Sequence, residues 1–395
     1  MNVIHQGLLL LIKSALTGQA MTLPEGFTLE SAQELIRSHS LAPLVYPGAI
    51  NCGMATKTPL MQKYQVQYFR HLVVGDRQMQ AVEQLCEVFE SKGIDYMILK
   101  GCNMKKLYPK PEMRPMGDAD ILIRLDQYKD IRPIMQQLQY KTVKESSYDF
   151  VWKNEALYLE LHKRLYSPDQ ELLCRYFGTG WEKAQLVKGH RYDMIREDEF
   201  AYIFTHMAKH FRICGIGVRH LVDLYVYRNA YPELDEKQIE RIMNKLEMLE
   251  FYRNIQRTLG VWFEGKPADN VTEMITEYVF GSGSFGTMEN KVYYDEMAKA
   301  SKRGKGVNHS RMSSFFAMLF PPLHLMQDSY NVLYKWPVLL PLFWPVRWVN
   351  VLLNRRKNIG KKLNIIRNMS DESVLKRERA MKLMGVSFDC VDDED

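Results

Sequence analysis

The chain has 395 residues, 46% of them hydrophobic and 25% charged, enough apolar material for two or three packed units, which excludes a disordered or low-complexity chain. A formal charge of +6 suits phosphorylated ligands, but it is far from the dense Lys/Arg stripe of a committed nucleic-acid binder, and no dedicated DNA-binding motif is present. Six cysteines, none in a C-x-x-C pair, argue against a disulfide framework or zinc module and point to a reducing, cytoplasmic compartment.

Gly7 to Ile12 is a short apolar run with neither the basic flank nor the cleavage site of a secretory signal, and it reads as one face of a core helix. The rest of residues 1–92 is helical too. An amphipathic stretch covers Leu29–Ser38, and a longer one covers 62–92 with Val82, Leu85, Cys86 and Phe89 at helical spacing. Lys92-Gly93 closes it with a basic last turn and a glycine cap. Then the period changes. Residues 96–99 form a short apolar run that predicts a buried strand, 102–108 a short helix stopped by Pro109 and Pro111, 118–124 a second strand, and 128–138 a helix. Three β-like runs follow at 140–143, 149–152 and 157–162, so residues 93–195 predict a small mixed sheet with flanking helices.

Beyond residue 195 the pattern is helical again. Phe200, Ile203, Phe204, Met207 and Phe211 form an apolar stripe, and 217–228 and 238–261 continue as helices. Residues 280–286 are a flexible Gly/Ser turn, 299–310 a polar linker, and 389–395 an acidic tail. The fold class is α+β, in four parts: an N-terminal helical region (1–92), an α/β core (93–195), a helical domain (196–300), and a linker, Pro/Trp-rich segment and tail (301–395). Within the last part, 336–353 is strongly apolar. Pro337, Pro341 and Pro345 would break a spanning helix repeatedly, and Arg347 lies inside, so the segment reads as buried and irregular. The sharper alternative is peripheral contact with an anionic membrane through 336–357, because Arg355, Arg356 and Lys357 follow Trp344 and Trp348.

The chemistry concentrates in the α/β core. Side chains at i and i+2 of a strand share a face, so Asp118 and Asp120 point one way while Ile121 and Ile123 point into a core. Two convergent carboxylates at a strand end can hold Mg²⁺ or Mn²⁺ with a nucleoside triphosphate. Upstream, Lys100-Gly101 lies between a strand and a helix, where glycine lets a phosphate approach the backbone and Lys100 adds charge, although glycine is also common punctuation there. Glu160 alternates with apolar neighbours in a run where it shares a face with Tyr158 and His162. A strand beside Asp118 and Asp120 would make it a third acid, the plainer reading being an exposed acid on an edge strand. Arg114, just before Gly117, holds the acidic loop, contacts a phosphate, or is a surface arginine. His206 and His210, four apart with no acid following in a zinc-protease pattern, read as packed or hydrogen-bonded histidines, and Arg219 and Asp223 as an intrahelical salt bridge or cleft lining. No Ser-His-Asp elbow, P-loop or Rossmann glycine fingerprint appears.

The order Leu99-Lys100-Gly101, then Arg114-x-x-Gly117-Asp118-x-Asp120, then Leu159-Glu160-Leu161-His162 resembles the uncharacterised bacterial nucleotidyltransferases of the polymerase-β-type superfamily. The likeness extends through His206-x-x-x-His210, Arg219-x-x-x-Asp223, Ser282-Gly283-Ser284-Phe285-Gly286 and the proline-rich stretch from Pro321-Pro322-Leu323 to Arg347, about residues 60–350. It implies Asp118, Asp120 and Glu160 as catalytic metal ligands and Lys100, Gly101, Arg114 and Gly117 as the nucleotide side. Cys102 stands where the superfamily has a second glycine or a serine, and Glu160 where aspartate is common. The implied reaction is transfer of a nucleoside monophosphate from a triphosphate to a hydroxyl of a small molecule, glycan, protein or RNA. The competing reading is a catalytically weak nucleotide-binding or regulatory module that acts through its helical regions.

Overall fold

The computed structural model describes residues 1–145, 149–168, 170–303, 319–327, 330, 332–354 and 356–386. Four helices lead: α1 (Val3–Thr17), α2 (Leu29–Ser38), α3 (Ala42–Asn51) and α4 (Pro59–Lys92). Local chemistry sets their ends. Thr28 and Ser31 form a reciprocal capping box on α2, Thr58 caps α4 ahead of Pro59, and Gly93 closes α4 in the left-handed region at φ 69°.

β1 (Tyr96–Leu99), α5 (Gly101–Leu107), β2 (Ala119–Ile123), α6 (Tyr128–Gln137), β3 (Lys141–Glu145), β4 (Asp149–Lys153) and β5 (Tyr158–His162) come next. After α7 (Glu171–Phe177), a hairpin of β6 (Ala184–Lys188) and β7 (Arg191–Met194) completes one seven-stranded mixed sheet, ordered β3-β4-β5-β2-β1-β7-β6. The sequence reading had no strands at 184–194. The hairpin docks through the Tyr96 N–H, which donates to the His190 carbonyl at 3.0 Å, and its outer strand is largely exposed, so the apolar signal is weak.

β2 lies antiparallel to β1 and parallel to β5. Its odd positions, Ala119, Ile121 and Ile123, enter an apolar core with Leu159 and Leu161, covered by Val82, Leu85 and Phe89 of α4 and by Ile131 and Ile134 of α6. The opposite face, with Leu99, Leu122 and Asp120, turns toward a larger core built by α8 (Arg196–Ile213), α9 (Val218–Ala230), α10 (Glu236–Lys245), α11 (Leu249–Phe263), α12 (Asn270–Ser282) and the N-terminal helices. Residues 238–261 were expected as one helix. They are the parts α10 and α11, separated where Glu247 takes φ 57°.

α13 (Met288–Arg303) overlaps the expected 299–310 linker, whose remainder, like the 389–395 tail, lies outside the described residues. The C-terminal part adds α14 (Leu323–Gln327), α15 (Val332–Lys335), α16 (Leu340–Asn354), α17 (Arg356–Asn368) and α18 (Asp371–Leu383). Here the expectation of a buried, irregular segment fails. Pro337 opens a 3₁₀ turn and Pro341 sits in the first turn of α16, where no N–H is needed, so only Pro345 interrupts the helix, and its outer side is exposed. No described helix is long and apolar enough to cross a membrane.

Candidate active-site cleft

The register of β2 on β5 builds the site. Asp120 pairs with Glu160 and Leu122 with His162 in adjacent parallel strands, so period-2 alternation turns Asp120, Glu160 and His162 to the same side. β5 is an interior strand between β4 and β2, which rules out Glu160 as an edge-strand acid. One donor atom from each of the three lies within 4.8 Å of the others. His162 Nε2 donates to Asp120 Oδ1 at 2.8 Å and lies 3.7 Å from Glu160 Oε2. Asp118, one residue before β2, lines the same cleft at its exposed mouth but stands outside that close group.

Lys100 is the N-cap of α5 at φ 33°, a backbone region costly for a residue with a Cβ. Its Nζ lies 3.4 Å from Asp120 Oδ1 and donates to His206 Nδ1 at 3.3 Å. A Cβ on Gly101 would make only ordinary contact with Met116, and one on Gly117 would meet nothing, so both glycines leave room on the cleft wall. Cys102 points the other way: its thiol packs in the core beneath the sheet, 3.5 Å from Met116 Sδ, and burial pushes it up to about 12. A hydroxyl at this position would sit in that core.

The cleft holds about 620 Å³ and opens between the sheet and α8–α9. The sheet wall carries the carboxylates and Lys100, and the helical wall carries His206, His210, Arg219 and His220. Burial opposes ionisation of Asp120, but Lys100 and His162 outweigh it and hold the carboxyl well below the usual range. Asp118 and Glu160 are raised instead, first by burial and then by the charge of Asp120. On the helical side, His206 donates to or accepts from His210 at 3.1 Å. Burial and the Lys100 charge lower both, His210 to about 4. His220 falls to about 3 through burial and Arg219.

Arg114 is not a surface arginine: it is buried in the cleft lining with its guanidinium engaged. Its Nε and Nη2 grip Asp223 at 2.8 and 2.9 Å, its Nη1 donates to the Gly101 carbonyl at 3.1 Å, and Tyr108 donates to Asp223 at 2.7 Å. The expected intrahelical Arg219–Asp223 bridge is therefore replaced by a pair that ties α9 to the loop before β2. Arg219 instead donates to the Pro115 carbonyl at 3.0 Å, its buried Nε meeting no acceptor among the described residues. The turn after α12 is pinned, not loose: Ser284 N–H donates to Ser38 O and Thr287 N–H to Cys214 O, which puts Phe285 on the cleft wall. Sequence reasoning left out His162 as a member of the acidic group and gave the 284–285 turn, though part of the family likeness, no place at the site. The shared face of Glu160 and His162 was the available signal for the first, while the second depends on contacts between distant segments.

Carboxylates that converge beside a lysine in an open cleft are the equipment of proteins that handle phosphorylated substrates. The chain belongs to an uncharacterised nucleotidyltransferase family, whose model matches residues 26–264. That span starts before and ends before the 60–350 of the sequence likeness, leaving the 282–286 turn and the C-terminal helices beyond it. No curated protein and no solved structure matches the chain.

Proposed function

We propose that the protein transfers a nucleoside monophosphate from a nucleoside triphosphate to a hydroxyl of an acceptor, with the β2–β5 face as its catalytic centre. The observation that carries this reading is the Asp120–Glu160 register pair, which sets two carboxylates against Lys100 in an open cleft. The donor set suits a hard divalent ion. Asp120 and Glu160, joined by Asp118 from the cleft mouth, would hold Mg²⁺ or Mn²⁺, while His162 keeps Asp120 oriented. Bound there, such an ion neutralises charge on the transferring phosphoryl group.

The chain's own residues account for the rest. Lys100 and Arg219, both lining the cleft, offer donors to phosphate oxygens, and Phe285, 86% exposed on the cleft wall, offers a flat face for a base. The acceptor oxygen forms a bond to the α-phosphorus as the bond to the bridging oxygen breaks and pyrophosphate leaves in line. Glu160, whose carboxyl is raised by burial and by Asp120, is suited to take the acceptor proton. Arg114 acts through position: by holding Asp223 and the Gly101 carbonyl it fixes the Lys100-Gly101 turn.

Incubation with α-³²P-labelled triphosphates, Mg²⁺ or Mn²⁺, and RNA, protein, glycan and small-molecule acceptors tests the proposal. Labelled acceptor is expected from the wild type, and Asp120→Asn is expected to cut transfer by roughly a hundredfold or more with an unchanged melting temperature. Equal transfer by the variant would sink the assignment. Saturable nucleotide binding without any transfer would favour the binding-module reading.

A further inference from the structure

α16 presents an apolar face to water, the reverse of a helix packed on a globular body. Its inner side is already engaged: Trp344 and Trp348 donate their indole N–H groups to the Pro321 and Leu319 carbonyls at 3.0 and 2.6 Å, and both rings meet Phe320 edge-on. The outer side carries Pro341, Leu342, Pro345, Val346 and Val349, with Asn350 its polar member. Val338 in the preceding turn extends the row. Val338, Leu342, Val346 and Val349, spaced four, four and three residues apart, are 81%, 67%, 51% and 58% exposed, and Trp336 beside them is 61% exposed. With fifteen residues α16 is too short to span a bilayer.

The charge of the chain segment that carries this face has one sign. Between Asp328 and Asp371 the chain has eight Lys and Arg residues and no Asp or Glu. Lys335, Lys361 and Arg367 are exposed. A contiguous apolar face in a stretch whose charged residues are all cations is complementary to anionic headgroups over acyl chains. A second copy of the chain would set the same cations against each other, which argues against a symmetric dimer here.

We propose that the outer face of α16 docks the protein on an anionic lipid surface, with the helix lying in the interface plane and the Val338–Leu342–Val346–Val349 row at the headgroup boundary. The full-length protein is mixed with vesicles of phosphatidylglycerol and phosphatidylcholine, or of phosphatidylcholine alone, and sedimented. The wild type should pellet with the anionic vesicles, much less with the neutral ones, and less again as salt screens the cations. A Leu342→Glu, Val346→Glu double variant should partition at least about tenfold more weakly with an unchanged far-ultraviolet circular dichroism spectrum and melting temperature. Val187→Glu, at an exposed apolar site on β6, should pellet like the wild type. The proposal is overturned if the wild type stays in the supernatant with anionic vesicles, or if the double variant pellets equally. A dimer that the double variant dissolves, seen by light scattering with no vesicle binding, would overturn it too.

Discussion

His206, His210 and His220 are neutral in the fold because burial and the neighbouring cations disfavour their charged forms. His210 faces His206, Lys100, Lys209 and, more weakly, Asp120. The linkage has a definite sign. Between the ordinary value of 6.5 and the depressed one, the unfolded chain binds the proton and the fold does not, so stability is full above pH 6.5 and falls as the pH drops toward about 4 for His210 and about 3 for His220. Each histidine contributes up to roughly 1.4 kcal/mol per pH unit in its window. Urea melts at stepped pH should therefore show midpoints falling below pH 6.5, with a shallower fall in His210→Gln, and an unchanged slope in that variant would contradict the account. At this scale the acids were legible and their partners were not. Two carboxylates alternating with Ile121 and Ile123 announce a shared strand face, and Glu160 does the same on β5, the neighbouring strand in the sheet. The Arg114–Asp223 pair joins residues 109 apart, and no local pattern reports such a contact.

Helix and strand boundaries followed local chemistry wherever a cap or a period was present. Gly93 marks an end that the sequence states outright, while the Thr28 and Thr58 caps come from the structure and the α10–α11 break rests on Glu247 in a left-handed conformation that no glycine advertises. α16 was missed for a different reason: prolines at its start are compatible with a helix, so their spacing overstated the disruption. The packing of α1 on α3 is likewise invisible in periodicity. A Cβ on Gly48 would lie 1.9 Å from the Leu11 carbonyl oxygen, so the two helices approach backbone to backbone. Gly48→Ala must push α1 and α3 apart and is expected to cost about 3 kcal/mol or more, since rigid backbone, not a flexible side chain, is displaced. Urea denaturation measures this, and a loss below the roughly 0.5 kcal/mol of an ordinary surface change would show that the approach is not tight.

Across the whole molecule, the sheet divides structure from chemistry. The face toward α4 and α6 is apolar and closed, and the face toward α8 and α9 carries the carboxylates, Lys100 and the open cleft. The sequence predicted an α+β chain with a small mixed sheet, and the seven-stranded sheet among helices agrees. Strand order was less legible, because the parallel β2–β5 pairing and the addition of the β6–β7 hairpin beside β1 are set by tertiary contacts. That pairing is the basis of the functional account, since it makes Asp120 and Glu160 one site. Calorimetric titration of a non-hydrolysable triphosphate, with Mn²⁺ or with chelator, into wild type and Asp120→Asn tests it most directly. The account predicts saturable Mn²⁺-dependent binding by the wild type, weakened at least about tenfold by the chelator or by the substitution. Equal binding in all three conditions would show that the carboxylates of β2 and β5 hold no metal–nucleotide complex.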